Sequence, residues 1–317
     1  MVKQEFFKLN NGHEMPGVAI VGTGTKWHKV NETDENFSQT LVDQLKYALS
    51  LPGVVHLDAA EFYMTYREVG RALAETSKPR DEIFITDKYW TLSKVTENPI
   101  VGLETGLKRL GLEYVDLYLL HSPFISKETN GFSLEEAWGM MEELYHSGKA
   151  KNIGVSNFAK EDLERVLKVC KVKPQVNQIE FNAFLQNQTP GIYNFCKQND
   201  IQLAAYSPLG PLQKKPADGN SQPFYSYINK LAQHYNKTPG QVLLRWVTKR
   251  GVVAVTTSEK KERIKQAQEI FEFDLKDDEV TEITKLGLDH EPLRLYWHDQ
   301  YNKYNSESQK AHHHHHH

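Results

Sequence analysis

Short apolar, β-branched runs alternate with longer segments of helical spacing along almost the whole chain. Val18 to Val21 reads as a strand and Asn36 to Ser50 as a helix, with Phe37, Leu41, Leu45 and Leu49 on one face. The same pairing follows in Val54 to Leu57 with Tyr66 to Thr76, Ile83 to Thr86 with Pro99 to Leu110, and Val115 to Leu120 with Leu134 to His146. It continues in Ile153 to Val155 with Lys160 to Val169, and Gln175 to Ile179 with Gly191 to Asn199. Leu203 to Ala205 with Phe224 to Tyr235, then Gly251 to Val255 with Lys261 to Gln268, complete the series. Strands that alternate with helices build parallel βαβ units. About eight such units predict an α/β fold, a (β/α)8 TIM barrel, with an open doubly wound sheet as the alternative.

Two additions frame the barrel. Phe6 to Leu9 and Glu14 to Pro16 flank Asn10-Asn11-Gly12, and Asn-Gly is a tight-turn signal, so an N-terminal β-hairpin is expected. The tail from Asp289 to Ala311 carries Leu295, Tyr296, Trp297, Tyr301 and Tyr304. It reads as a C-terminal aromatic loop that packs on the barrel or closes a pocket. The segments Ser122 to Ser133 and Gly210 to Pro223 are also longer than a barrel needs, and long loops in compact domains tend to bind.

Residues 1–311 are therefore read as one barrel domain, and His312 to His317 as an expression tag outside it. The 38 Lys and Arg against 41 Asp and Glu are interspersed, which gives no basic face for nucleic acid. No apolar run approaches the roughly 20 residues that span a bilayer. Met1 to Leu9 contains Lys3 and Glu5 and lacks a secretory apolar stretch. Two cysteines, Cys170 and Cys196, are too few for a disulfide framework and fit reduced thiols in the cytoplasm. No clustered His, Cys or carboxylate spacing suggests a metal. A monomer or weak dimer acting on small molecules is expected.

In a (β/α)8 barrel the residues at the C-terminal ends of the strands line the active-site face. Asp58 and Tyr63 follow the second strand, Lys88 the third and His121 the fourth. Each alone has an ordinary structural explanation, but four ionisable types at one mouth point to carbonyl reduction. That reaction leaves an alkoxide in need of a proton. A phenol has an ordinary pKa near 10, and a neighbouring ammonium stabilises its phenolate. A buried ammonium needs a counter-charge. Tyr63 is thus read as the acid, Lys88 and Asp58 as the pair that makes it acidic, and His121 as the clamp on the carbonyl oxygen.

These residues sit in words that resemble the aldo-keto reductase family. Asp58-Ala59-Ala60-Glu61-Phe62-Tyr63 with Glu68, Lys88-Tyr89-Trp90 and Leu119-Leu120-His121-Ser122-Pro123 are similar to its catalytic motifs. Gly154-Val155-Ser156-Asn157-Phe158, Asn177-Gln178-Ile179-Glu180-Phe181 and Tyr206-Ser207-Pro208-Leu209-Gly210 resemble its nicotinamide-binding strand ends. Gly22-Thr23-Gly24-Thr25-Lys26-Trp27, Val255-Thr256-Thr257-Ser258 and Glu291-Pro292-Leu293-Arg294-Leu295-Tyr296-Trp297 resemble the branch that reduces α-keto amides and conjugated polyketones.

The resemblance implies an NADPH-dependent oxidoreductase of the alcohol dehydrogenase (NADP+) type that reduces α-keto amides, keto esters, conjugated diketones or lactones to chiral alcohols. It implies that Ser156, Asn157 and Gln178 hold the nicotinamide carboxamide, that Tyr206 covers its ring, and that Ser207 and Leu209 line the pyrophosphate path. Gly24, Thr25, Lys26 and Asp58 would also face the cofactor. Thr257 stands in the cofactor-binding stretch where the family usually has Lys, and Ser258, Lys260 and Arg263 are expected to take the 2′-phosphate. The substrate pocket would be walled by Trp27, His28, Tyr63, Trp90, His121, Tyr296 and Trp297, with Tyr89 and Phe124 as further candidates. An NADP-binding, redox-sensing regulatory subunit of the same fold is the alternative reading.

Overall fold

The computed structural model describes residues 2–216 and 219–306; the tag and the last residues before it lie outside that range. A hairpin comes first, β1 (Phe6–Lys8) against β2 (Glu14–Pro16). The barrel follows in β3 (Val18–Ala19), β4 (Val21–Gly22), β5 (Val55–Asp58), β6 (Ile83–Tyr89) and β7 (Leu117–Leu120). Its later strands are β8 (Ile153–Ser156), β9 (Val176–Glu180), β10 (Gln202–Tyr206) and β11 (Val253–Val255).

All neighbours in this sheet are parallel, in the order β3-β11-β10-β9-β8-β7-β6-β5-β4. The two ends of that order are two halves of one strand, interrupted only at Ile20. Val18 pairs with Ala254 on one side, and Val21 pairs with Leu57 on the other. The sheet therefore closes on itself as an eight-stranded barrel, and the doubly wound alternative is excluded.

Strand residues of opposite parity serve the two layers, as the period of two demands. Leu117 and Leu119 join Ala19, Phe84, Val176, Ala204 and Val253 in the barrel interior. Tyr118 and Leu120 join the outer cluster against the helices. Leu9 and Met15 of the hairpin pack into the interior cluster, so the hairpin plugs the end of the barrel opposite the catalytic strand ends.

The helices begin where their caps dictate. Ser38 accepts from Leu41 N ahead of Gln39–Ser50, and Asn98 accepts from Val101 N ahead of Pro99–Leu110. The latter ends at Gly111, whose φ of 69° is the left-handed turn a glycine takes most easily.

Besides the short helices Lys127–Asn130, Gly210–Gln213 and His298–Tyr301, two longer helices escape the pattern read from the sequence. Pro239–Lys249 follows Gln222–Tyr235 and buries Trp246 and Val247 beside β11. Its Thr238-Pro239-Gly240 start looks like a turn, but Thr238 and Gln241 form a capping box and proline fits the first helical position. Asp277–Leu288 lies between Lys261–Gln268 and the tail and packs on Gln222–Tyr235. Its run of acidic residues masks a narrow apolar stripe of Ile283, Gly287 and Leu288. Lys88 also differs from expectation. It lies within β6, which runs to Tyr89, and not past the strand end.

Candidate active site

At the catalytic end of the barrel the side chains are set by neighbouring strands. Asp58 is the last residue of β5, and Lys88 is the next-to-last of β6. A short 3-10 turn, Glu61–Tyr63, brings Tyr63 back over both. His121 follows β7 directly, where its N–H donates to Tyr89 O. Lys88 Nζ donates to Asp58 Oδ2 at 2.7 Å, to Tyr63 Oη at 3.0 Å and to Ala59 O at 3.0 Å. All three ammonium protons are thereby used. Asp58 Oδ1 accepts from Gln178 Nε2 at 3.0 Å, which ties this cluster to β9.

Electrostatics follow from depth. Burial works against the Lys88 ammonium, but Asp58 and Tyr63 outweigh it and raise its pKa above the ordinary lysine value. For Tyr63 the outcome corrects the expectation. Burial raises the phenol above 10, Lys88 pulls it down, and Asp58 adds to the rise. The ammonium acts in the expected direction but does not win, because burial of the phenol outweighs it and Asp58 adds to the rise. His121 is held well below the ordinary imidazole value, first by burial and then by Lys88. It is a neutral imidazole, and its buried Nδ1 meets no protein partner.

A cavity of about 650 Å³ opens above these residues. Asp58, Tyr63 and His121 form its floor; His28, Phe62, Trp90, Tyr296 and Trp297 are among its walls. Phe62 stacks on Trp90 with ring centres 3.7 Å apart, and Trp90 meets His121 edge-on at 4.9 Å. Gly24 lies over Tyr63; a side chain there would come within 2.8 Å of the phenol ring, so the close approach requires glycine.

Three expected wall residues lie elsewhere. Trp27 does not line the cavity, because its ring turns back to pack on the outer core. Tyr89 is buried against Phe132. Phe124 reaches the site only through its contacts with Trp297 and Tyr301. Phe62, Leu92 and the helix start His298–Gln300 line the cavity without having been marked in the sequence.

Ser156, Asn157, Gln178, Tyr206 and Ser207 converge on one side of the cavity. Asn157 is fully engaged within the protein. Its Oδ1 accepts from Tyr206 Oη at 2.6 Å and Gln188 Nε2 at 2.9 Å. Its Nδ2 donates to His121 O and Ser156 Oγ. Ser156 Oγ itself donates to Gln178 O at 2.7 Å. Asn157 and Ser207 both have left-handed φ, 61° and 50°, a conformation that collects at binding sites.

A second cavity of about 560 Å³ shares Gln213, Thr256 and Thr257 with the first. Lys26, Leu209, Lys215, Ser258, Lys260 and Arg263 line it. The two together form an elongated cleft with a catalytic cluster at one end and four cations at the other. This shape and charge fit a phosphorylated dinucleotide. Lys26 and Leu209 thus belong to the distal lobe, and Lys215 adds a cation that the sequence pattern did not mark. Thr257 Oγ1 donates to Gly22 O at 2.7 Å, so this hydroxyl is committed to the barrel strand.

Comparison with known proteins bears on this cleft. The Aldo/keto reductase family model matches residues 20–287. The chain is 63% identical over 308 residues to the NADPH-dependent alpha-keto amide reductase of Saccharomyces cerevisiae, covering 97% of this chain and 99% of that protein. It is 36% identical to the NAD/NADP-dependent indole-3-acetaldehyde reductase of Schizosaccharomyces pombe, over 88% of this chain and 94% of that one. The solved structure of Bombyx mori aldo-keto reductase AKR2E4 in complex with NADP superposes with a TM-score of 0.78 at 29% identity, covering 96% of this chain and all of that one.

Proposed function

The chain belongs to the aldo/keto reductase family, and we propose that it reduces activated ketones, α-keto amides first among them, with Tyr63 as the proton donor. It is an NADPH-dependent oxidoreductase. The observation that carries the proposed chemistry is the 3.0 Å contact between Lys88 Nζ and Tyr63 Oη on the floor of a cavity.

The cleft would hold NADPH, which when bound would supply the hydride that reduces the carbonyl carbon. Ser156, Gln178 and Tyr206 would hold its nicotinamide end, and Asn157, whose amide is engaged within the protein, would fix Tyr206 there. Gly24, Thr25, Ser207, Leu209 and Thr257 would line its path. Lys26, Ser258, Lys260 and Arg263 would take its 2′-phosphate, since guanidinium and ammonium groups match phosphate oxygens.

The protein's own steps concern one proton. Tyr63 donates its hydroxyl proton to the carbonyl oxygen as negative charge develops there. Lys88 stabilises the phenolate that this leaves, and Asp58 keeps Lys88 charged and aimed. His121, neutral at working pH, offers an uncharged N–H to the same oxygen. Because the phenol stays protonated well into alkaline pH, Tyr63 is loaded for donation throughout the neutral range.

His28, Phe62, Trp90, Tyr296 and Trp297 would form the substrate wall, an apolar, aromatic surface suited to flat, bulky carbonyl compounds. Keto esters, conjugated diketones and lactones share with α-keto amides a carbonyl activated by an electron-withdrawing neighbour. The alcohol formed would be chiral, and the enzyme would act as a monomer or weak dimer in the cytoplasm.

The test is NADPH absorbance in the presence of an aromatic α-keto amide, an α-keto ester and a free aldose. Consumption with the first two, and little with the aldose, is expected. No consumption with any activated ketone would overturn the reading.

A further inference from the structure

Glu180 is the last residue of β9, is fully buried, and has no part in the proton chemistry above. Gln178, two residues earlier in the strand, lines the cavity, whereas the Glu180 carboxylate points to the C-terminal segment. Oε2 accepts from Leu295 N at 2.8 Å and Oε1 accepts from Tyr296 N at 3.3 Å. These amides belong to the turn that presents Tyr296 and Trp297 to the cavity, with Trp297 in left-handed conformation at φ 56°. Upstream, Leu293 N donates to Phe184 O. Downstream, the buried Tyr301 hydroxyl donates to Asn157 O at 2.6 Å.

The clamp reaches the cofactor side as well. Arg294 Nη1 donates to Gln188 O at 2.8 Å, and Gln188 Nε2 donates to Asn157 Oδ1. Tyr296 meets Tyr206 edge-on, with ring centres 5.6 Å apart. One carboxylate therefore stands where the substrate wall and the nicotinamide-side residues join.

We propose that Glu180 is a positioning residue whose carboxylate, by accepting the Leu295 and Tyr296 amides, holds the Tyr296–Trp297 wall against the cavity and so sets the affinity for the ketone. The inference rests on the reductase reading. Each carboxylate oxygen takes one amide, so a proton on either replaces an acceptor with a donor aimed at an N–H. Burial raises the Glu180 pKa to about 7, against the amides and Arg294, which lower it. The charged or titratable groups facing it are Arg294 from the tail and Tyr206 from β10. The clamp should loosen as pH falls through neutrality. A second buried carboxylate in the same range, Glu61, holds Trp90 N at 2.7 Å, so the experiment must separate the two.

The experiment measures ketone KM and kcat at saturating NADPH, with NADPH affinity by fluorescence, for wild type and Glu180→Gln. In the wild type, KM is expected to rise about tenfold from about pH 8 to about pH 6, the loss of one good hydrogen bond. In Glu180→Gln it is expected to be high and flat, with kcat and NADPH affinity within about twofold of wild type. A flat KM in the wild type overturns the proposal without need of any variant. So does a pH step that survives in Glu180→Gln, which assigns it to Glu61. Absence of ketone turnover in the wild type overturns the reductase reading and this inference with it, whereas turnover with an unmoved KM overturns this inference alone.

Discussion

Lys88 Nζ lies 2.7 Å from Asp58 Oδ2; both groups are buried, and Asp58 forms part of the floor of the cavity. The pair keeps a full ammonium beside the Tyr63 hydroxyl without leaving an unmatched charge in the barrel. Its energetic meaning lies in what happens when one partner is removed, because a buried charge without its partner is strongly destabilising.

Lys88→Met should cost about 3–5 kcal/mol of folding stability, since Asp58 is left unpaired. Adding Asp58→Asn should recover part of that loss while leaving reduction inactive. Urea unfolding of the single and double variants checks this. Additive losses would contradict the pairing.

His121 should remain neutral in acid. Burial first and Lys88 second lower its pKa well below 6.5, so imidazolium forms only at pH values well under that of an exposed histidine. Its ring resonances, followed by NMR, should stay flat from about pH 8 to about pH 6, where exposed histidines titrate. A midpoint near 6.5 would contradict the assignment.

Glu61 should make stability fall as pH rises. Its folded pKa is raised to about 7 by burial, against hydrogen bonds from Trp90 N and Thr96 Oγ1. Between the ordinary carboxylate range and 7 the folded state binds the extra proton, so stability declines across that window. The full difference is about 3 kcal/mol. Melting curves against pH should lose this component in Glu61→Gln; an unchanged slope would assign the effect elsewhere.

Arg263 should discriminate between the two nicotinamide dinucleotides. It lines the distal lobe with Lys26, Lys215 and Lys260. Arg263→Ala should weaken NADPH by about tenfold or more while hardly changing NADH, because only the former carries a 2′-phosphate. Titration of intrinsic fluorescence with each dinucleotide measures it. Equal weakening of both would place the phosphate elsewhere.

The parts of this protein that were legible in its sequence are those in which residue type and local position carry the information. Asp58, Tyr63, Lys88 and His121 are chemically conspicuous at strand ends, and the structure brings them together. Trp27 was misread because adjacency to Lys26 and His28 does not say which way a ring turns. Pro239–Lys249 was missed because Thr-Pro-Gly serves both turns and helix starts. Glu180, Gln188 and Arg294 gave no local sign of their connection. Their partners lie up to 116 positions away in the chain, and only the closed barrel makes them neighbours. The direction of the Tyr63 shift was also beyond sequence reasoning, since it depends on burial competing with a charge pair.

The central claim is that Tyr63 delivers the proton. With NADPH and an α-keto amide, Tyr63→Phe should bind the cofactor as the wild type does, yet lose about 10²–10⁴-fold in kcat, the range of a general acid. Equal turnover by the two proteins would contradict the account.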